Sequence, residues 1–309
     1  MTIEAGTIVN VKGLFKIDVK GKIQVKGEAG APVVFTSPDK TPGSWVGMTV
    51  NYTYENYIKF AVFEYADVGL IWAVKSGTLT DSTFRFNKTV GLRLYQLYEG
   101  NYCILERLTA TKNAGVGIEI QSGKYFDLKY ATSTENGSHG LRIQYVEYDS
   151  PKVTNCTLAR NAGSGVYGAR TLGTLDHCDI MENDFGVEFY GVRLDLKNSR
   201  IKANRREGIW TNDQFGGEGG SFQGIHLTGN DIFGNATVSA TGMPFLDEQI
   251  STYDETYKFT GTKYTSYLES GKGEDLLYAW VTYGENESYG QDQVKGALMR
   301  NDSETDVAA

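Results

Sequence analysis

A column of asparagines recurring every 21 to 31 residues constrains this chain more than any other feature. Asn87, Asn113, Asn136, Asn161, Asn183, Asn204 and Asn235 stand 26, 23, 25, 22, 21 and 31 residues apart. Eight positions before each comes an aliphatic residue: Leu79, Leu105, Leu128, Val153, Leu175, Leu196 and Leu227. Five before it the residue is mostly small (Ser82, Leu108, Ala131, Cys156, Cys178, Ser199, Asn230), and three before it stand Phe84, Ala110, Ser133, Leu158, Ile180, Ile201 and Ile232. Gly91, Gly117, Gly140, Gly165, Gly186 and Gly208 follow the first six asparagines at three or four residues. Each of these glycines is followed at once by Leu92, Ile118, Leu141, Val166, Val187 or Ile209. An earlier segment, Ile58, Ala61, Phe63, Ala66, Gly69, Leu70, fits with Ala66 in the asparagine column. Such periods mark repeat architectures.

Apolar residues two apart describe strands rather than helical turns. A unit of about 22 residues holds two or three short strands and cannot bury a face alone, so units must stack. Stacked at ~4.8 Å, every strand pairs with its equivalents above and below, and eight coils make a rod roughly 40 Å tall. Asparagine suits the bends, where it tolerates unusual backbone angles and stacks into an amide ladder. Glycine supplies the tight corner before the next strand. With only 5 Pro and 37 Gly, and no long amphipathic helical window, the chain reads as all-β, a parallel solenoid of roughly 8–10 coils.

Charge marks boundaries. Residues 246–309 carry 13 Asp+Glu, 5 Lys+Arg and seven tyrosines, while residues 1–245 hold 25 charges of each sign. Three regions result: N-terminal capping coils (1–57), the repeats (58–245), and an acidic Tyr-rich segment (246–309). Within the last, 257–268 and 276–283 could form strands, and residues from Gly284 onward read as solvated and flexible. No basic stripe favours nucleic acid, and no run reaches the ~18 apolar residues of a membrane span. The start, Thr2-Ile3-Glu4-Ala5-Gly6-Thr7, reads as the middle of a strand-turn unit, as if a leader had been removed.

The segments TIEAGTIVNV, GKIQVKGEAGAPVVFTS and SWVGM, followed by the Asn/Gly coils, carry a family resemblance. Residues 2–240 resemble the right-handed parallel β-helix repeat proteins of the pectin-lyase-like superfamily, and in particular its non-catalytic surface and secreted members. The resemblance implies the hand of the helix, which agrees with the rule for parallel crossovers. It implies an extracellular or cell-surface location and binding of sugars across outward residues of the strand after the Gly. The fold alone does not choose among lyases, hydrolases, epimerases, adhesins and wall proteins.

On that strand, Gly plus two reads Arg93, Glu119, Arg142, Tyr167, Glu188, Trp210, and Gly plus four reads Tyr95, Gln121, Gln144, Ala169, Tyr190, Asn212. The Arg-Glu-Arg half reads as a surface charge ladder. The other half, Tyr167, Glu188, Tyr190, Trp210, Asn212 and Asp213, beside a glycine-rich loop, has the aromatic, carboxylate and amide groups of a carbohydrate site. The favoured reading is a structural, adhesive or glycan-binding surface module, with a glycan, a cell-surface protein or further copies of the chain as partners. The alternative is a polysaccharide-active lyase or hydrolase with Glu188 and Asp213, or Glu188 and Glu207 at the neighbouring bend, as its carboxylates, since glycosidases need two at ~5–9.5 Å. Arg200-Ile201-Lys202 matches one polygalacturonase element, but Ile201 belongs to the core column; Ser138-His139-Gly140 lacks the first Gly of another. No metal set or cofactor is expected: the three histidines read as surface or turn residues, and the acidic tail lacks ordered Asp-x-Asp spacing for Ca²⁺. Cys156 and Cys178 read as small core filler. Among the Asn-x-Ser/Thr triplets, Asn87, Asn136 and Asn235 fall in the ladder column and read as structural.

Overall fold

The structure, a computed structural model, describes residues 1–51, 55–74, 76–97, 102–123, 127–146, 152–190, 193–211, 224–233 and 235. It also gives the backbone of five later strands: Ile250–Thr252, Lys258–Thr260, Lys263–Thr265, Asp275–Gly284 and Asn301 back to Asp292. Each coil contributes one strand to each of three parallel ladders. The first ladder begins at Thr2–Glu4, the second at Ile8–Asn10 and the third at Lys16–Val19. Eleven strands make up the second ladder, ending at Lys263–Thr265, which corresponds to roughly 50 Å at the ~4.8 Å strand spacing. The long strand Val166–Asp176 runs through both the third ladder and the first.

Every repeat column lies in register. Ile58, Leu79, Leu105, Leu128, Val153, Leu175, Leu196 and Leu227 are successive partners on the first ladder. Phe63, Phe84, Ala110, Ser133, Leu158, Ile180, Ile201 and Ile232 are partners on the second. Leu70, Leu92, Ile118, Leu141, Val166, Val187 and Ile209 are partners on the third. From Ile58 to Ile232 the apolar members whose side chains are described fill one continuous core, within which Phe35, Phe63 and Phe84 stack at 4.8 and 5.4 Å. The N-terminal strands join the same ladders, for instance Val25 on Ile58 and Met48 on Leu70.

The asparagine ladder is complete and buried. Each Nδ2 donates to the next Oδ1 at 2.8–3.2 Å from Asn87 through to Asn235. Each backbone N–H from Asn87 to Asn204 donates to that same oxygen at 2.9–3.1 Å. Every Nδ2 also donates to a carbonyl of the preceding coil or turn, from Phe63 O at one end to Ile201 O at the other. Ala66 N donates to Asn87 Oδ1 at 2.9 Å and closes that end. The amides of Asn87, Asn136 and Asn235 are thereby engaged inside the rod.

Two details differ from the sequence reading. The left-handed backbone belongs not to the asparagine but to the residue before it: Tyr65, Phe86, Lys112, Glu135, Arg160, Glu182 and Ala203 have φ of 53–62°. Non-glycine residues pay ~1–2 kcal/mol each there, offset by the ladder that fixes the next residue. The corner glycines keep negative φ; they are small because the next asparagine amide lies against them. A Cβ on Gly91 would meet Asn113 Nδ2 at 2.8 Å, and one on Gly140 would meet Asn161 Nδ2 at 2.6 Å.

In the acidic segment, Lys258–Thr260 and Lys263–Thr265 continue the first and second ladders. Asp275–Gly284 pairs antiparallel with Asp292–Asn301. The stretch after Gly284, read as solvated and flexible, therefore includes a strand. Among the described residues no helix is long and apolar enough to cross a membrane.

Candidate functional site

The outward residues of the third ladder form three columns. At Gly plus two, Ile71, Arg93, Glu119, Arg142, Tyr167, Glu188 and Trp210 are register partners in that order. At Gly plus four, Tyr95, Gln121, Gln144, Ala169 and Tyr190 follow one another. The third column is the residue before the Gly: Val68, Val90, Val116, His139, Ser164, Phe185, Glu207. Its first three pack with Ile71 into a small outer apolar cluster. The column before the Gly changes character between Val116 and His139, and the Gly-plus-two column one coil later, between Arg142 and Tyr167.

Below that coil the face closes on itself. Glu119 lies on the outward side yet is almost completely covered, because Arg93 Nε and an Arg142 terminal nitrogen each hold one of its carboxylate oxygens. This pairing is tighter than the exposed charge ladder read from the sequence.

Above it the polar groups are arranged around aromatic rings. His139 and Tyr167 stack at 4.6 Å, Tyr167 and Tyr190 lie 5.7 Å apart, and Tyr190 meets Trp210 edge-on at 4.9 Å. Phe185 lies beside Trp210 at 6.2 Å, and the Arg206 guanidinium covers Phe185 at 4.0 Å. The Ser164 hydroxyl donates to one Glu188 oxygen, and Tyr190 OH donates to the other at 3.1 Å. The backbone N–H of Ser164 donates to His139 Nδ1 at 3.1 Å. Burial, and then the Arg142 charge, hold the His139 pKa down at about 4, so the ring is neutral at pH 7. With Nδ1 accepting, the neutral ring carries its proton on Nε2 and presents a donor. Burial, followed by the Glu188 charge, raises the pKa of both Tyr167 and Tyr190, which stay protonated.

Among the described residues, two buried atoms in this strip make no hydrogen bond: the donor Arg142 Nε and the acceptor Glu207 Oε2; the latter forms an ion pair with Arg206 Nε at 3.6 Å. Buried polar atoms left so cost about 1–3 kcal/mol each. They stand three coils apart, roughly 14 Å at the strand spacing, one at each end of the Tyr167–Tyr190–Trp210 rings.

Of the residues singled out by sequence, Tyr167, Glu188, Tyr190 and Trp210 come together here. Asn212 and Asp213 lie outside the described residues, as does the Glu188–Asp213 separation on which the hydrolase alternative rests. His139, Ser164 and Phe185 were missed, and Glu207 was weighed only as a second carboxylate for Glu188. Their signal was the column before the Gly, which turns from Val-Val-Val to His-Ser-Phe-Glu. Reading His139 as a turn residue compared it only with the other histidines. Among the described residues no three His, Cys, Asp or Glu side chains are grouped to hold a metal ion. Cys156 and Cys178 are buried free thiols.

The family model described as "Right handed beta helix region" matches residues 68–242, more than half of the chain. The chain belongs to the right-handed β-helix family. This β-helix also resembles solved structures. The A-module of the Azotobacter vinelandii mannuronan C-5 epimerase AlgE4 superimposes with a TM-score of 0.53 at 18% identity, covering 86% of this chain and 85% of that one. A variant of the periplasmic alginate epimerase AlgG gives a TM-score of 0.58 at 13% identity, covering 84% and 74%. Identities this low establish a shared fold. No curated protein matches the β-helix by sequence.

Proposed function

We propose that this β-helix is a secreted or cell-surface module that binds an acidic glycan along its third face without turning it over. The supporting observation is that, among the described residues, Arg142 Nε and Glu207 Oε2, two buried atoms at the two ends of one aromatic strip, make no hydrogen bond. A ligand that satisfies both must offer an acceptor at one end, a donor at the other, and ring faces between. A short sugar chain lying along the rod has these groups: a carboxylate for Arg142, hydroxyls for Glu207 and Glu188, and pyranose faces for Tyr167, Tyr190 and Trp210. Strand spacing of ~4.8 Å is close to the length of one sugar ring, so successive rings meet successive coils. His139 Nε2–H adds a donor beside the carboxylate position.

Binding is favoured over chemistry because, among the described residues, every candidate base of the strip except Glu207 is engaged by a neighbour. His139 Nδ1 already accepts from Ser164, both Glu188 oxygens accept from neighbours, and the two tyrosines are held protonated. Proton abstraction or hydrolysis needs a general base within reach of the substrate. The fold neighbours named for epimerases of mannuronan and alginate make sugar polymers the natural first probes. Calorimetry of the full chain against uronate and neutral oligosaccharides tests the reading, with unsaturated-uronate absorbance and reducing-sugar release followed in parallel. Micromolar to millimolar binding of the acidic series with no product is the expected result. Product formation, or equal binding of the neutral series, overturns it.

A further inference from the structure

The two ends of the third-face strip differ in chemistry, and the difference selects among acidic glycans. At the lower end the outward polar groups can all donate. Arg142 and Gln144 stand two residues apart on one face of the strand Leu141–Val146. The neutral His139, on the same coil, presents its Nε2–H. The carboxylate of this end, Glu119, is almost completely covered between Arg93 and Arg142.

Two and three coils higher, acidic groups take over. Glu188 is the second register partner above Arg142, about 10 Å away at the strand spacing. Glu207 belongs to the next coil, that of Trp210. Glu188 receives its hydrogen bonds from two uncharged hydroxyls, those of Ser164 and Tyr190. Arg206 lies 3.6 Å from Glu207 and over the Phe185 ring. The neighbouring Asp184 and Arg205 pair with each other at 3.3 Å, and Arg170, beyond Ala169, has an interaction of its own. Among the described residues, Glu188 and Glu207 are thus matched by one guanidinium, which lies on Glu207. The rings between feel both poles. After burial, the Glu188 charge raises the pKa of Tyr167 while Arg142 lowers it; at Tyr190, burial and then Glu188 raise it while Arg206 lowers it.

We infer that the strip takes a sparsely charged glycan, one acidic ring at the Arg142 end followed by two or three neutral rings, and rejects a polyuronate charged on every ring. The inference rests on the acidic-glycan reading above and specifies which acidic glycan. A carboxylate on the first ring lies against donors. On the third and fourth rings it would stand against Glu188 and Glu207. There like charges repel, and the hydroxyl donors those carboxylates need are replaced by an acceptor. Setting an unmatched charge against the wrong ligand is a means of specificity. At the few-ångström separation of a bound ring, on a half-open and partly screened face, the repulsion is worth on the order of ten-fold in affinity.

The test is calorimetry of the full chain with tetrasaccharides of equal length. Two isomers carry one uronate, at either terminus; a third probe carries a uronate on every ring, and a fourth is neutral. The better isomer should bind about ten-fold or more tightly than the fully charged probe. Raising salt should narrow that gap, because both the attraction and the repulsion are screened. Glu188→Gln/Glu207→Gln should narrow it further. The ratio of affinities is the readout, so a general weakening cancels; if the variant does not fold, the wild-type ratio and its salt dependence decide. A fully charged probe that binds as tightly as the better isomer, or a gap that salt or the folded variant leaves unchanged, overturns the inference and leaves the acidic-glycan reading standing. A neutral probe that binds as tightly as the acidic ones, or no binding by any probe, overturns both.

Discussion

The asparagine column and the outward column of the third ladder climb the same coils but treat their polar groups in opposite ways. Inside the second bend, each amide from Asn87 to Asn204 accepts from the coil before it and donates to the coil after it. On the outer face only the lower half is similarly closed, with Glu119 held between Arg93 and Arg142. The upper half, from Tyr167 to Trp210, has rings, a carboxylate held by neighbours, and at either end a buried atom with no hydrogen bond among the described residues. A solenoid can afford such a region because its neighbouring coils are held independently by the bend. On the proposed reading, stability and recognition are separated by a few ångströms within each repeat.

The contrast is broken most severely by removing one rung. Asn161 accepts from Asn136 N and Nδ2 at 3.1 and 2.9 Å, and donates to Ser133 O and Asn183 Oδ1 at 3.1 and 2.9 Å. Asn161→Ala leaves buried donors and acceptors on both neighbouring coils, a cost of about 3 kcal/mol or more. Hydrogen exchange should show loss of protection centred on residues 133–190. A change below about 1 kcal/mol would mean that the ladder decorates the bend rather than holding it.

Acid comes next. The folded pKa of His139, about 4, lies below its usual 6.5. Between those values the unfolded chain binds the proton more readily, so stability falls as pH drops from 6.5 towards 4. The shift corresponds to about 2–3 kcal/mol. His139→Gln should remove that part of the slope, and the difference between the two unfolding curves cancels the other titrating groups. Identical slopes in both proteins would show that the ring is not held neutral by burial.

Glu119→Ala sharpens the comparison from the closed half. It leaves two half-exposed guanidinium groups side by side, and solvent screening reduces the usual penalty of a broken buried pair to about 2 kcal/mol. Thermal melting measures it, and Glu119→Gln should recover part of the loss through hydrogen bonding. If Glu119→Ala were neutral, the Arg-Glu-Arg column would be no more than surface decoration.

The core and bends were readable in the sequence because in-register stacking makes each column a repeated measurement of one environment. Leu79 to Leu227 and Phe84 to Ile232 could not drift without leaving the rod. The left-handed positions were not readable. Phe86, Lys112, Glu135, Arg160, Glu182 and Ala203 share no chemistry, and it is the asparagine after each that imposes their φ. The glycines were found for a different reason than they serve, since closeness to an amide and freedom in φ select the same residue. Tyr167, Glu188, Tyr190 and Trp210 were found because they break the pattern of one outward column. His139, Ser164 and Glu207 break a second column, which a strict count of two hides, since Val90 and Leu92 stand two apart yet pack in different clusters. That column becomes visible only when the residue before each Gly is aligned.

The smallest change concerns the open half. Trp210 is half-buried on the outer face, where its ring meets those of Tyr190 and Phe185. Trp210→Ala should therefore move the unfolding midpoint little, by ~0.5 kcal/mol, as surface substitutions do. On binding its effect should be about ten-fold, or ~1.4 kcal/mol, the scale of losing one ring platform from a sugar chain. Arg93→Ala is the matched control from the closed half, where a contact with Glu119 is lost but no proposed ligand group is touched. It should cost stability and leave affinity alone. The two variants exchange roles only if the ligand lies over the lower coils, which would move the binding face to the Arg93–Arg142 end and leave the aromatic half as packing.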